Sequence, residues 1–169
     1  MRTRDEFRMA PRRIPRPTGS LCLLVLLCAG CNVKPVAPIP EDWQRIQVED
    51  AFSFHVPKAM RAQDVQPIDS VVGVLADESC ELYYDYGQYA GGLGEYTDLP
   101  HAETERLQID GFQVQMVRVQ DRENTPDRPH TAAVHFPSLH GGKRLTMRLS
   151  CDQPALETAR AIFQSIRFQ

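Results

Sequence analysis

Three histidines in the second half of the chain follow one another at intervals of five residues, namely His130, His135 and His140. Imidazole nitrogens are common zinc ligands, and zinc-bound water is a nucleophile for hydrolysis. A spacing of five alternates between the two faces of a strand, so the three rings would converge only if a loop gathered them. Together with Asp85 or Glu103 they define a candidate hydrolase site. Solvated histidines are the alternative, because the sequence contains no HExxH motif and no paired CxxC motif.

A second group of chemically useful side chains lies in residues 83–96, YYDYGQYAGGLGEY, which hold five tyrosines, four glycines and two acids. Tyrosine combines a rigid aromatic face with a hydroxyl group and is frequent on binding surfaces. No Lys-Ser or Lys-Thr follows the glycines, so the segment does not match a phosphate-binding loop. The predicted binding residues are Tyr83, Tyr84, Tyr86 and Tyr89. The alternative is an ordinary strand with tyrosines on its rim, followed by a loop.

An apolar run, LCLLVLLCAGC, occupies residues 21–31 and follows six arginines. Its apolar part is about half the ~20 residues that a membrane-spanning helix needs. A basic start, a short apolar stretch and small residues at its end are typical of a secretory signal peptide. The small residues Ala29 and Gly30, followed directly by Cys31, resemble the lipobox of bacterial lipoproteins, although Cys28 stands where that family usually has leucine.

This resemblance implies that Cys31 receives a diacylglycerol group and becomes the first residue of the mature protein. It predicts a signal peptide over residues 1–31, a proline-rich extended tether over 32–42, and a single domain over 43–169. The acyl anchor would hold the protein to the bilayer of the bacterial cell envelope. Asn32 favours the outer membrane, because aspartate at this position marks inner-membrane retention in enteric bacteria. The alternative is an ordinary cleaved signal with a chance cysteine.

The predicted roles of the five cysteines follow from the same resemblance. Cys22 and Cys28 would leave with the signal peptide and Cys31 would carry lipid, so that Cys80 and Cys151 remain. Two cysteines in an exported chain allow one pairing, and a Cys80–Cys151 disulfide is therefore predicted. Two unpaired buried thiols are the alternative.

Charge argues against one class of partner. The first 31 residues hold six of the 19 basic and two of the 22 acidic side chains, which leaves 13 basic and 20 acidic side chains and a net charge of −7. An acidic domain without a basic stripe repels phosphate backbones, so nucleic acid is not an expected partner. No motif in the sequence indicates a cofactor or a metal for a binding domain.

The elements that must position these residues are mostly strands. Apolar residues alternate with polar ones over 52–56 and 145–149, and further strands are predicted over 71–76, 82–86 and 131–136. Asp110-Gly111 between two alternating runs predicts a two-residue hairpin. Beyond it the apolar phase changes after Met116, which predicts a β-bulge there.

The final segment instead has helical spacing, with a stripe formed by Leu156, Ala159, Ile162, Phe163 and Ile166. Asp152 is predicted as its N-cap and Pro154 as a residue of its first turn. The predicted fold class is α+β, an antiparallel sheet of about six to eight strands packed by a C-terminal helix.

FSFHVP, DSVVGVL followed by LYYDYG, and ARAIFQSIRF resemble the PsbP-like fold over most of residues 43–169. Members of that superfamily have an antiparallel sheet flanked by helices. The resemblance implies an accessory or binding role and brings no catalytic residue. The leading hypothesis is therefore a membrane-tethered envelope lipoprotein with a non-enzymatic domain that binds an envelope protein or glycan. An envelope hydrolase that uses the histidines is the alternative.

Overall fold

Ten strands and two helices make up the domain in the computed structural model, which describes residues 38–121 and 125–169. In chain order they are β1 (Trp43–Val48), β2 (Phe52–Pro57), β3 (Arg61–Gln63), β4 (Val71–Ala76), β5 (Cys80–Gly87), α1 (Gly94–Thr97), β6 (Glu103–Ile109), β7 (Phe112–Gln120), β8 (His130–Phe136), β9 (Arg144–Cys151), α2 (Leu156–Gln164) and β10 (Arg167–Phe168). A short 3₁₀ turn, His140–Gly142, joins β8 to β9.

The strands form two sheets. The larger has seven antiparallel strands in the order β3-β4-β5-β9-β8-β7-β6, and the smaller has three in the order β1-β2-β10. Helix α2 packs against β2, β6 and β8, so the small sheet and α2 together cover one face of the large sheet, which we call the inner face. This architecture confirms the predicted α+β class with its C-terminal helix. The second sheet was not predicted.

Aromatic rings form the contact between the two sheets. The ring of Phe52 on β2 lies 5.9 Å from that of Tyr84 and 5.5 Å from that of Tyr86, both on β5. Phe54 also contacts Tyr84, at 5.8 Å between ring centroids. These side chains share one buried cluster with the apolar stripe of β9, which begins at Leu145. Aromatic burial of this kind is the main stabilising contribution in a two-layer domain.

The predicted hairpin is confirmed. Ile109 pairs with Phe112, and the two residues between them, Asp110 and Gly111, have φ angles of 48° and 85°. Both lie in the left-handed region, as a two-residue turn that matches the twist of the strands requires. The carboxylate of Asp110 also accepts a hydrogen bond from the backbone N–H of Phe168 at 2.8 Å, which connects this hairpin to β10.

The predicted β-bulge near Met116 is wrong. β7 keeps one continuous register with β6 and with β8 on either side of that position. Val117 and Val119 point to the outer face of the large sheet and are nevertheless buried, because α1 packs against β7 on that side. Burial on both faces, and not an inserted residue, explains the change of apolar phase.

The start of the C-terminal helix also differs from the prediction. α2 begins at Leu156, and its N-cap residue is Ala155, which makes no side-chain capping bond. Asp152 is not the N-cap, because its backbone N–H donates to the carbonyl of Ser79 and extends the β5–β9 ladder past Cys151. The apolar stripe of the helix is confirmed, since Ala159, Ile162 and Phe163 are buried.

The predicted disulfide is confirmed. Cys80 and Cys151 lie directly opposite each other at one end of the β5–β9 pair and are bonded through their sulfur atoms. In the described part of the chain, no helix is both long and apolar enough to cross a membrane.

We expect the disulfide to stabilise the domain by roughly 4 kcal/mol, because it joins residues 71 positions apart and restricts the unfolded chain. Urea unfolding of the oxidised protein, the reduced protein and the variant Cys80→Ala/Cys151→Ala would measure this difference. The reduced protein serves as the control for lost packing, and it should unfold at the same urea concentration as the variant. A double variant as stable as the oxidised protein would contradict the expectation.

Candidate functional site

The four predicted binding tyrosines do not form one surface. Tyr84 and Tyr86 point to the inner face and belong to the aromatic contact between the sheets. Tyr83 points to the outer face, where the guanidinium of Arg148 lies 4.8 Å from its ring centroid. Tyr89 follows the strand and is 76% exposed. The division follows from the two-residue period of a strand, which sends neighbouring side chains to opposite faces.

Tyr83 is part of a packed cluster under α1. Arg148 Nη1 donates a 3.1 Å hydrogen bond to the hydroxyl of Tyr96, so one guanidinium contacts both tyrosines. Burial raises the pKa of Tyr83 and of Tyr96 above the usual value for tyrosine. These contacts hold α1 against the large sheet, which leaves Tyr89 as the predicted tyrosine that is open to solvent.

A second exposed apolar side chain follows the same end of the β4–β5 ladder as Tyr89. Ile68, in the loop before β4, is 98% exposed. The last residue pair of the β4–β5 ladder is Val71 with Tyr86, and Ile68 and Tyr89 each lie three residues beyond it. Ser70, just before β4, lies close to Gly87 at the end of β5, because a Cβ atom on Gly87 would lie 2.6 Å from the Cβ of Ser70. Ile68 and Tyr89 therefore extend from the same end of the sheet.

Two basic residues flank this end of the sheet. Lys143 Nζ lies 4.8 Å from the ring centroid of Tyr86, and Arg144 is paired with Gly87. We call the set formed by Ile68, Tyr89, Lys143 and Arg144 the distal tip. It combines exposed apolar surface with positive charge.

The distal tip lies far from the point where the chain enters the fold. Strand β1 begins at Trp43, and the next residue, Gln44, donates a 2.7 Å hydrogen bond to the carbonyl of Met60. Met60 precedes β3, whose first residue pairs with Ala76 at the opposite end of β4 from Val71. At about 3.3 Å per residue, the six-residue strand β4 separates these two ends by about 17 Å.

The three histidines of the proposed hydrolase site do not converge. His130 lies on the inner face of β8, His135 on the outer face of the same strand, and His140 in the 3₁₀ turn that follows. Asp85 and His135 both lie beside Thr146 on the outer face, one on each neighbouring strand. Within residues 38–121 and 125–169, no group of three or more His, Cys, Asp or Glu side chains could hold a metal ion.

His135 has a structural role on the outer face. The hydroxyl of Thr146 donates its proton to the carbonyl of Gly91, so the Nδ1–H of His135 donates to Thr146 Oγ1 at 2.9 Å. These hydrogen bonds connect the sheet to the loop after β5, which contains Tyr89 and Gly91. Burial, and secondly the charge of Arg144, lower the pKa of His135 below 6.5.

One concave site beside α2 was not predicted from the sequence. It lies on the inner face at the disulfide end of the sheet, beside the start of α2, and has a volume of about 210 Å³. Apolar side chains that line it include Ala132, Leu149, Leu156 and Ala159. Polar residues also line it, and we call four of them its polar wall, namely His101, Glu103, Arg118 and His130. We call this site the helix-edge groove.

The polar wall occupies positions that are apolar elsewhere on the same face. Leu107 and Val114 are paired across β6 and β7 and are buried, whereas Glu103 and Arg118, four residues further along each strand, form an ion pair. The alternation of these strands, read in phase with Leu107, would have assigned Glu103 to the core side. A charged residue in phase with the apolar stripe of a strand is therefore the sequence signal that could have indicated the groove.

A second ion pair lies on the same face of β6, two residues closer to Leu107. Arg160 of α2 binds Glu105 of β6, and its side chain is only 12% exposed, whereas Arg118 and Glu103 are 48% and 64% exposed. Arg160 also binds Glu157 on its own helix. The Arg160–Glu105 pair joins helix to sheet, while the Arg118–Glu103 pair remains open to solvent at the wall of the groove.

No protein-family model matches the chain, and no curated protein matches it. The resemblances to bacterial lipoproteins and to the PsbP-like fold therefore stay predictions.

His135 should make the domain less stable as the solution becomes acidic. Its folded pKa is below the unfolded value of 6.5, so the unfolded state binds a proton more readily, and the stability present above about pH 6.5 is lost as the pH falls through the folded pKa. The variant His135→Asn keeps a side-chain donor but does not titrate. We expect its free energy of unfolding to fall less than that of the wild type between about pH 7.5 and pH 5.

Urea unfolding at both pH values would measure this difference. The variant His140→Gln is the matched control, because His140 is exposed in the turn after the same strand. Equal losses of stability for the wild type and His135→Asn would contradict the assignment.

Proposed function

We propose that this protein is a lipid-anchored protein of the bacterial cell envelope whose domain binds an envelope protein through the distal tip, without catalysing a reaction. The observation that carries the proposal is the exposure of Ile68 and Tyr89 at one end of the sheet. Exposed apolar groups that extend together are typical of interaction sites.

Two features support the anchor and the location. The sequence AGC at residues 29–31 fits a lipobox, and Cys31 itself lies outside the described residues. The Cys80–Cys151 disulfide fits an oxidising compartment, because cytosolic proteins rarely keep such bonds. The outer membrane remains the favoured site, on the basis of Asn32.

Three properties of the distal tip support a protein partner. Tyr89 and Ile68 offer an aromatic and an aliphatic anchor of the kind that fills pockets on a partner surface. Lys143 and Arg144 add positive charge beside them, which would steer an acidic partner. The distance of the tip from Trp43 would turn it away from the tethered end of the domain.

The anchor can be tested by fractionation of producing cells. The variant Cys31→Ser should move from the membrane fraction to the soluble fraction, because it lacks the thiol that receives the lipid. The wild type should stay with the membrane after high-salt washing, which removes proteins held by charge alone. Release of the wild type by salt, or retention of the variant, would contradict the lipid anchor.

The tip can be tested by cross-linking in intact cells. A photoreactive benzoylphenylalanine in place of Tyr89 should give a discrete adduct with a second protein. Adding Ile68→Asp should reduce that adduct by at least about tenfold, since buried anchors contribute most of the binding energy of an interface.

The same photoreactive residue in place of Gln63 is the matched control. Gln63 is also exposed, but it lies on β3 opposite Val74, away from the Val71 end of β4. Equal adducts from both positions, or none from position 89, would contradict binding at the tip. Mass spectrometry of the adduct would identify the partner, and a glycan in its place would overturn the proposal of a protein partner.

A further inference from the structure

The helix-edge groove contains a pair of opposite charges at positions that continue the apolar stripe of Leu107 and Val114 along β6 and β7. Glu103 and Arg118 are directly paired across β6 and β7, and they follow the same alternation as the buried pair Leu107 and Val114. Charged side chains are rarely placed on the core side of a sheet unless they are paired or bind something. Here they face a groove of about 210 Å³.

We infer that the helix-edge groove binds a small zwitterion with a short apolar body, of the class of apolar amino acids. The carboxylate of Glu103 would hold the ammonium group of the ligand, and the guanidinium of Arg118 would hold its carboxylate. The apolar body would lie against Leu149 and Leu156. This inference is independent of the distal tip and of the lipid anchor.

The exposure of the ion pair is consistent with ligand exchange. The side chains of Arg118 and Glu103 are 48% and 64% exposed, and an exposed pair contributes little to stability. A ligand that supplies both charges can therefore separate the pair and replace each contact with an equivalent one. The neighbouring pair of Arg160 with Glu105 is less exposed and joins α2 to β6, so it is not available for exchange.

The size and lining of the groove restrict the ligand further. A volume of about 210 Å³ is sufficient for the body of a single small ligand such as an amino acid. Ala132 and Ala159 leave this space free because their side chains are short. The remaining polar residues of the wall, His101 and His130, can add hydrogen bonds to the carboxylate of the ligand.

The balance of charge decides between classes of ligand. A simple carboxylate would gain from Arg118 but would be repelled by Glu103, and a simple amine would meet the reverse problem. An uncharged apolar molecule would leave the ion pair without any role in its binding. Among the three classes, a ligand with both charges is the one that can replace both halves of the ion pair.

The test is isothermal titration calorimetry on the purified, disulfide-bonded protein with three matched probes. Leucine carries both charges, 4-methylpentanoate lacks the amine, and 3-methylbutylamine lacks the carboxylate. We expect leucine to bind about tenfold more tightly than either of the other two, because each charge-assisted contact contributes about one factor of ten.

Variants assign the two charges. Arg118→Gln and Glu103→Gln should each weaken leucine binding about tenfold, and neither should unfold the domain because both side chains are solvent-exposed. Arg106→Gln is the control, since Arg106 is an exposed arginine of β6, the strand of Glu103, and its side chain alternates to the outer face. The inference is overturned if leucine does not bind, if 4-methylpentanoate or 3-methylbutylamine binds as tightly as leucine, or if the groove variants match the control.

Discussion

The antiparallel pairing of β5 with β9 is the interaction on which the rest of the domain depends. It runs over eight residue pairs near the middle of the large sheet, and β4 and β8 attach to its two sides. Its inner face presents Tyr84 and Tyr86, on which Phe52 packs to close the two layers. A shift of one residue would turn these tyrosines outward and bring Asp85 into the core, so the register must be held firmly. The disulfide at the end of the pair provides that constraint.

The two ends of this sheet differ in chemistry because they are covered differently. At the disulfide end, α2 begins only at Leu156, and the uncovered part of the inner face becomes the helix-edge groove. At the other end, the strands run into loops that carry Ile68 and Tyr89 into solvent. The groove is small and has paired charges, whereas the distal tip has two exposed apolar side chains together with Lys143 and Arg144.

Prediction from the sequence succeeded where a local rule was sufficient. The Asp110-Gly111 turn, the apolar stripe of α2 and the alternation of β9 each depend on residues within a few positions of one another. Prediction failed where the answer depended on contacts with elements distant in the sequence. The phase change after Met116 was interpreted as a bulge because the sequence does not show that α1 covers the outer face of β7. Asp152 was assigned to the helix because its bond to Ser79 depends on strand pairing.

By itself, then, the sequence determined the α+β class, the principal strands and the Asp110-Gly111 hairpin turn, and with the resemblance to lipoproteins it predicted the Cys80–Cys151 pairing. Tertiary structure alone decided which polar residues meet. His130, His135 and His140 were close in sequence and separated in space, whereas Glu103, Arg118 and His130 were distant in sequence and came to line one groove. The physical reason is that a side chain's face follows from local alternation, but its neighbours follow from the order of strands in the sheet. That order is established by long-range packing of whole faces, which no local pattern records.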